Sequence, residues 1–305
     1  MKIYLINDSI RGIVSNEETF WSVISENLRG ARGIAMKDIG GSLSEFFQRE
    51  QPDIVISNSI FGNLETPQKT KKIVLLQDDF IAMKKRLPWD WKRIVKAFMN
   101  FGDPYVKKAA LQREAISNAD RVVVVSNDIA RSYGLSDYEV IPIGTDSQLF
   151  SPTKNREELR KKYGIPTDAI VKIFIGSTHL VKGFDILETE IKNDSKSFYI
   201  LVLKDKYRPI LKLSNVKVFQ RIDQKTLAEL MNCADVCVGR SRVETLWLGP
   251  IEAMFCGVPV DVTPVGIFAD WKPANLNPRQ EAFEIGLDRE TMIKRWESLI
   301  HNIVE

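Results

Sequence analysis

Histidine, cysteine and paired aspartates are scarce in this 305-residue chain, and each scarcity excludes something. His179 and His301 are the only histidines, so a histidine-built metal cluster is excluded. No Asp-x-Asp occurs, which removes one common carboxylate holder for a divalent cation, and no metal site is expected. Cys233, Cys237 and Cys256 are odd in number and two lie in apolar surroundings. Buried free thiols in a reducing, cytoplasmic setting are expected rather than disulfides. No apolar run approaches the ~20 residues of a membrane span. The segment 1–7 reads as a first β-strand, too short for a signal peptide. Neither a Walker A loop nor a Gly-x-Gly-x-x-Gly is present, and no repeat or low-complexity stretch stands out.

What is there describes a soluble globular protein: 44% apolar and 27% charged residues, with enough length for two domains. Near-continuous apolar runs at 3–6, 53–57, 72–76 and 122–125 predict buried parallel strands, with helices at 17–28 and 43–49 between them. A second series of strands is predicted at 171–175, 198–203, 216–219, 236–238 and 259–262. Helices at 157–163, 184–191 and 225–231 accompany it. Two βαβ sets in tandem predict an α/β protein of two Rossmann-like, doubly wound domains, 1–146 and 147–305. The break falls near Gly144–Pro152, and the chain closes with a helix at 289–304.

The stretch from Ser241 to Val260 carries the strongest chemical signal. Glu244 and Glu252 flank a turn, the first in a loop after a strand, the second in a helix expected to run from Pro250 to Gly257. Ligands of open parallel sheets bind outside the carboxyl ends of the strands, where such loops and helix starts converge. A carboxylate there holds hydroxyls, and helix N–H groups face a phosphate, so a sugar joined to a diphosphate fits. Glu252 also has a purely local explanation, because an acid near a helix start favours the dipole. Glu244 has none. Gly176-Ser-Thr-His-Leu-Val-Lys-Gly183 joins another strand to a helix and offers a diphosphate small residues, amides and Lys182.

Glu-x7-Glu followed by Ala-Met-x-Cys-Gly-Val-Pro-Val resembles the signature of retaining GT-B glycosyltransferases of family 4. Three more segments match in order: Asp120–Ser126, Tyr138–Asp146 with Phe150 and Pro152, and Phe174–Ser177 with Lys182–Asp185. The resemblance is strong over residues 120–266 and weak before them. It implies a GT-B fold, two domains facing a central cleft, with the final helix crossing back onto the first. It implies a metal-independent, retaining transfer of a sugar from a UDP- or GDP-linked donor to an acceptor hydroxyl, with no resident cofactor. Donor-side residues would be Gly176, Ser177, Lys182, Arg221, Ile222, Glu244, Thr245, Leu246, Trp247 and Glu252. Glu252 would accept the ribose hydroxyls and Glu244 those of the transferred sugar. Arg11, Gly12 and Gln77 would stand on the acceptor side. Glu244 and Lys182 would be catalytic, with Asp78 or Asp79 as an assisting base, Asp78 first.

The chain departs from the family at several of these places. Ser177 stands where the family has an arginine, for which Arg240 or Arg242 are candidate substitutes. Thr245-Leu-Trp247 replaces Gly-Phe-Gly and would narrow the sugar pocket. Gln77 replaces a histidine, and one Gly12 replaces paired glycines. Ser177, Thr245-Leu-Trp247 and Gln77 keep open a GT-B-shaped nucleotide-sugar-binding protein without turnover; a third reading is a sugar-nucleotide epimerase of similar architecture, with no general base pair beyond Asp78 and Asp79. Residues 84–108 hold eight basic residues against Asp90 and Asp103, while the rest of the chain is slightly acidic. With Trp89, Trp91, Phe98 and Phe101 this segment predicts either a helix with a solvated basic face or contact with an anionic membrane. A peripheral position at the inner membrane face would follow from the second. The acceptor would be a sugar, a lipid-linked sugar or a protein, and no nucleic acid is expected.

Overall fold

A computed structural model describes residues 1–7, 16–88, 102–204 and 213–304, apart from the side chains of 16–19 and 37. Its contacts divide the chain into two compact units, Met1–Ile143 with Glu290–Glu305, and Gly144–Arg289.

Unit 1 holds a parallel sheet of β1 (Ile3–Asn7), β2 (Ala31–Ala35), β3 (Ile54–Asn58), β4 (Lys71–Leu76), β5 (Arg121–Val124) and β6 (Glu139–Val140). Their spatial order is β2-β1-β3-β4-β5-β6. β1 and β3 are buried along their whole length, as apolar runs covered on both faces require. β2 was not anticipated. Its sequence, Ala-Arg-Gly-Ile-Ala, has no apolar run because an edge strand is only partly covered. The helix Asn16–Asn27 brings Trp21 into the core, where its ring meets Phe20 edge-on at 5.0 Å. The final helix, Arg289–Val304, buries Met292, Trp296, Leu299, Ile300 and Ile303, an apolar stripe at helical spacing. Trp296 lies 5.9 Å from Phe20, so this helix packs in the core of unit 1.

Unit 2 holds β7 (Ile170–Gly176), β8 (Ser197–Leu203), β9 (Val216–Gln220), β10 (Val236–Gly239) and β11 (Val260–Val262), all parallel. The order β11-β10-β7-β8-β9 is that of a Rossmann sheet. Successive strands are added outward in one direction from β7 and then in the other from β10. The loops after β7 and β10 therefore stand where the strand order reverses, at the carboxyl ends where ligands of such sheets bind. β8 is buried throughout, and Phe174, Phe184, Leu187, Ile191, Tyr199 and Leu201 pack one face of the sheet. Each such side chain contributes about 1.5–3 kcal/mol on leaving water. That burial makes the strand ends a rigid platform for their loops.

Candidate functional site

The crevice of unit 2 is built from two loops, 177–183 after β7 and 240–247 after β10. Backbone packing locks them together. A Cβ at Gly183 would lie 1.7 Å from the carbonyl oxygen of Arg240, and Gly183 has φ +61°, so only glycine fits on both counts. The Arg242 N–H donates to the Val181 carbonyl at 2.8 Å. Its guanidinium grips both Asp185 carboxylate oxygens at 2.7 Å, and Nη1 also donates to the Leu180 carbonyl. This forked pair holds the Asp185 carboxyl below the ordinary carboxylate range.

Between the two loops lies an ion pair. Lys182 Nζ donates to Glu244 Oε1 at 2.7 Å and to Oε2 at 2.9 Å. The Ser241 hydroxyl donates to Oε1 at 2.6 Å. Ser241 is itself buried, and its carbonyl accepts from the Thr263 hydroxyl at 2.6 Å. Glu244 is thus held in place from below by Ser241 and faced by Lys182. Val243, Leu246 and Trp247 anchor the same loop in the core.

Those anchors correct an expectation. Leu246 and Trp247 do not stand free to narrow a sugar pocket; both side chains are buried in unit 2. The Trp247 ring covers Gly239, where a Cβ would lie 2.3 Å from the indole, and meets Phe268 edge-on at 6.1 Å. From this stretch, only Thr245 keeps a half-buried side chain. The proposed arginine substitutes are also spent. Arg240 pairs with Glu190 at 2.7 Å and Asp261 at 2.8 Å, and Arg242 with Asp185, so neither is a spare cation.

The helix carrying Glu252 runs Leu248–Phe255, two residues earlier than expected. Trp247 precedes it in a left-handed conformation, φ 76°. Pro250 therefore takes the third helical position, which still donates no intrahelical bond. Glu252 lies beyond the first turn, and the helix-start explanation for it falls away. It is half-buried, and among the described residues its carboxylate has no hydrogen-bond or ion-pair partner. Burial pushes that carboxyl up to about 7. A half-buried acid without a partner is free for a ligand's hydroxyls.

Gly176 ends β7 and pairs with Leu203; Ser177, half-buried, follows it. Arg221 and Ile222 follow β9, two strands from β7 on the same carboxyl edge, with Arg221 exposed at φ 52°. Asp223 beside them caps the next helix by accepting from the Thr226 N–H. In unit 1, Gln77 and Asp78 follow β4. The Gln77 side-chain carbonyl accepts from Asn58 at 3.2 Å, while among the described residues its buried Nε2 has no partner. Asp78 is half-buried and its carboxyl is raised by burial, with Lys108 pulling the other way. Asp79 is committed to structure, capping the helix Phe80–Arg86 through the Ala82 N–H at 2.7 Å. Arg11 and Gly12 lie outside the described residues, as do Trp89, Trp91 and the rest of 89–101. Cys233, Cys237 and Cys256 are buried and free. Burial pushes the Cys256 thiol up to about 12 and that of Cys233 to about 11, so these thiols are unreactive packing groups.

Sequence reasoning did not single out Ser241 or the Arg242–Asp185 fork. Spacing shows which residues share a loop, but a fork between a loop and a helix start 57 residues away leaves no local pattern.

Residues 155–272 match the family model described as glycosyl transferases group 1. Over those residues the chain is similar to that family. The matched segment contains both loops, both glutamates and Lys182. A D-inositol 3-phosphate glycosyltransferase of Xylanimonas cellulosilytica is 28% identical over 200 residues, 57% of this chain and 48% of that protein. One of the same name from Nocardiopsis dassonvillei is 27% identical over 203 residues, 57% of this chain and 47% of its own length. The matches thus span about half the length of these curated relatives. Among solved structures, sucrose-phosphate synthase of Thermosynechococcus elongatus superposes with a TM-score of 0.76 at 16% identity, covering 99% of each chain. Anabaena HepE in complex with UDP and glucose gives 0.72 at 14% identity, again over 99% of each. The fold is GT-B, two Rossmann-like units in tandem.

Proposed function

We propose that the protein is a retaining glycosyltransferase that moves a sugar from a nucleoside-diphosphate sugar to an acceptor hydroxyl without a metal. The observation that carries this reading is the Lys182–Glu244 pair at the Rossmann crevice, with the unpartnered Glu252 on the helix that follows. Lys182 offsets the charge that develops on the departing diphosphate, the kind of preorganised stabilisation that lowers such barriers. Glu244 holds hydroxyls of the transferred sugar, and Glu252 those of the ribose. Gly176, Ser177 and Thr245 bring backbone close to the donor, and Arg221 with Ile222 receives the base. On unit 1, Gln77 stands on the acceptor side, and Asp78 is the assisting base. Burial raises its carboxyl, the direction a base working near neutral pH needs.

The relatives' names add D-inositol 3-phosphate to the acceptors worth testing, beside sugars, lipid-linked sugars and proteins. HepE was solved with UDP-glucose, so a uridine donor heads the panel. The test is a panel of UDP- and GDP-sugars scored for thermal stabilisation, hydrolysis and product anomer. Stabilisation with turnover and a retained anomer supports the proposal. Stabilisation without turnover supports a binding protein, the second reading, which rests on Gln77, an amide unable to carry a proton. No stabilisation by any donor sinks both.

Membrane contact belongs to the same proposal. Lys84, Lys85 and Lys107 are exposed in unit 1, and each basic residue near an anionic surface contributes about 1 kcal/mol. No helix among the described residues is long and apolar enough to cross a membrane. Sedimentation with anionic liposomes at low salt checks this, and Lys84→Glu with Lys85→Glu should weaken it. Protein left in the supernatant rejects it.

A further inference from the structure

The ion pair at the crevice has a consequence for what the site will hold. Lys182 is about one-third exposed at its side chain, whereas Glu244 is only 9% exposed. Both carboxylate oxygens are engaged by one ammonium, and Oε1 takes the Ser241 hydroxyl as well. The carboxylate belongs to a loop pinned by Val243, Leu246 and Trp247, while the lysine is a flexible stem with its head on top. The two arginines of the loop are committed to Glu190, Asp261 and Asp185. Lys182 is therefore the cation that an arriving diphosphate at these loops must recruit, and recruiting it takes Glu244's counter-ion away.

We infer that Glu244 is the resident counter-ion of Lys182, exchanged for the donor's diphosphate on binding, so that the site favours an intact nucleoside-diphosphate sugar over the bare nucleoside diphosphate. This rests on the reading of unit 2 as a donor site. When the diphosphate draws Lys182 off, a nearly buried carboxylate is left beside an anion, a costly state unless donors replace the ammonium. The hydroxyls of an attached sugar supply those donors; a bare nucleoside diphosphate has none to place there. After transfer the same imbalance returns: the diphosphate product faces Glu244 with no sugar between them, and the Lys182–Glu244 pair re-forms as it leaves. Glu244 thus acts twice, as a selector for the loaded donor and as an aid to product release.

The test is titration calorimetry of UDP, with inorganic pyrophosphate followed by phosphorus NMR as a probe that needs no base recognition. The parent protein, Glu244→Gln, Ser241→Ala and Lys182→Met are compared, with near-UV circular dichroism to confirm folding. Glu244→Gln should bind both probes about tenfold more tightly than the parent, because a charge-assisted competitor has been removed. Ser241→Ala, which only loosens the carboxylate, should tighten binding about twofold and serves if Glu244→Gln does not fold. Lys182→Met should lose binding. If Glu244→Gln and Ser241→Ala bind the probes no more tightly than the parent while Lys182→Met loses them, the exchange is wrong and the donor site stands. If no variant binds either probe, the donor-site reading fails and the exchange with it.

Discussion

The carboxyl edges of the two sheets hold different kinds of polar group. In unit 2 they are full charges in explicit pairs: Lys182 with Glu244, Arg242 with Asp185, Arg240 with Glu190 and Asp261. In unit 1 the neutral groups Asn58, Ser59, Gln77 and Ser126 are buried there, beside the acids Asp78, Asp79 and Asp128. Gln112 ties several together, donating to Ser59 at 2.7 Å and to the Asp78 carbonyl at 3.0 Å, and accepting from Tyr133. Among the described residues, the buried Gln77 Nε2 and Ser126 Oγ have no partners. A charged edge with exchangeable pairs suits a charged ligand, because it can trade one counter-ion for another. An edge built mostly of amides and hydroxyls suits a polyol, which brings hydroxyls and no net charge. The proposed placing of donor on unit 2 and acceptor on unit 1 is this comparison put in functional terms.

The largest expected effects lie on the charged edge. Glu244→Ala and Lys182→Ala should each lower transfer by about a thousandfold or more, the scale of losing a charge-stabilising group. The unfolding midpoint of Glu244→Ala should move by only a few degrees, while Lys182→Ala, which leaves the nearly buried Glu244 carboxylate unpaired, should lose more. A variant of either with parental turnover would break the comparison at its stronger end.

Gly183→Ala should act on the scaffold instead. Its new Cβ collides with the Arg240 carbonyl in a left-handed backbone, so about 3 kcal/mol or more of stability should go, read by urea unfolding. In unit 1, Gly40→Ala meets open space and should stay within about 0.5 kcal/mol. Equal losses would mean that the close approach of the two crevice loops is not what Gly183 serves.

Glu252 gives a pH signature of intermediate size. Its folded carboxyl titrates at about 7, above the 4.5 of an ordinary glutamate, so it favours folding only while protonated. That contribution is complete below about pH 4.5 and lost as pH rises through 7, at most about 3 kcal/mol. Urea unfolding at pH 5 and pH 8 should show the loss in the parent and not in Glu252→Gln. Donor affinity should run the opposite way, rising across pH 7, because ribose hydroxyls prefer the carboxylate. A flat profile in both assays would remove Glu252 from the donor site.

The smallest effect belongs to the edge in unit 1. Gln77→Ala should raise the acceptor KM about fivefold and leave the donor KM alone, the worth of one neutral hydrogen bond. An equal change in both constants would erase the division of labour.

Much of this was legible along the chain. The buried strands announced themselves as apolar runs, since a parallel strand covered on both faces has no polar side to show. The acids of Glu-x7-Glu and Lys182 stood out because nothing local called for Glu244 or for a lysine beside small residues. Other features were not legible. β2 is an edge strand of mixed composition, so the rule that found its neighbours passed over it. The helix start was placed at Pro250 because proline suits a first turn, but three of its positions tolerate a missing N–H, and Trp247 set the true one.

The sequence by itself determined the element types, the tandem Rossmann pattern and which residues could carry charge at strand ends. Period and propensity act over a few neighbours, and those neighbours are written in order. Only the tertiary structure decided who pairs with whom. Lys182 and Glu244 are 62 residues apart and meet because β7 and β10 lie side by side in the sheet. The same adjacency spent Arg240 and Arg242 on structure, drew Trp247 over Gly239 and left Glu252 without a partner. Strand order is set by the packing of whole sheets, and with it the charges that remain for a ligand.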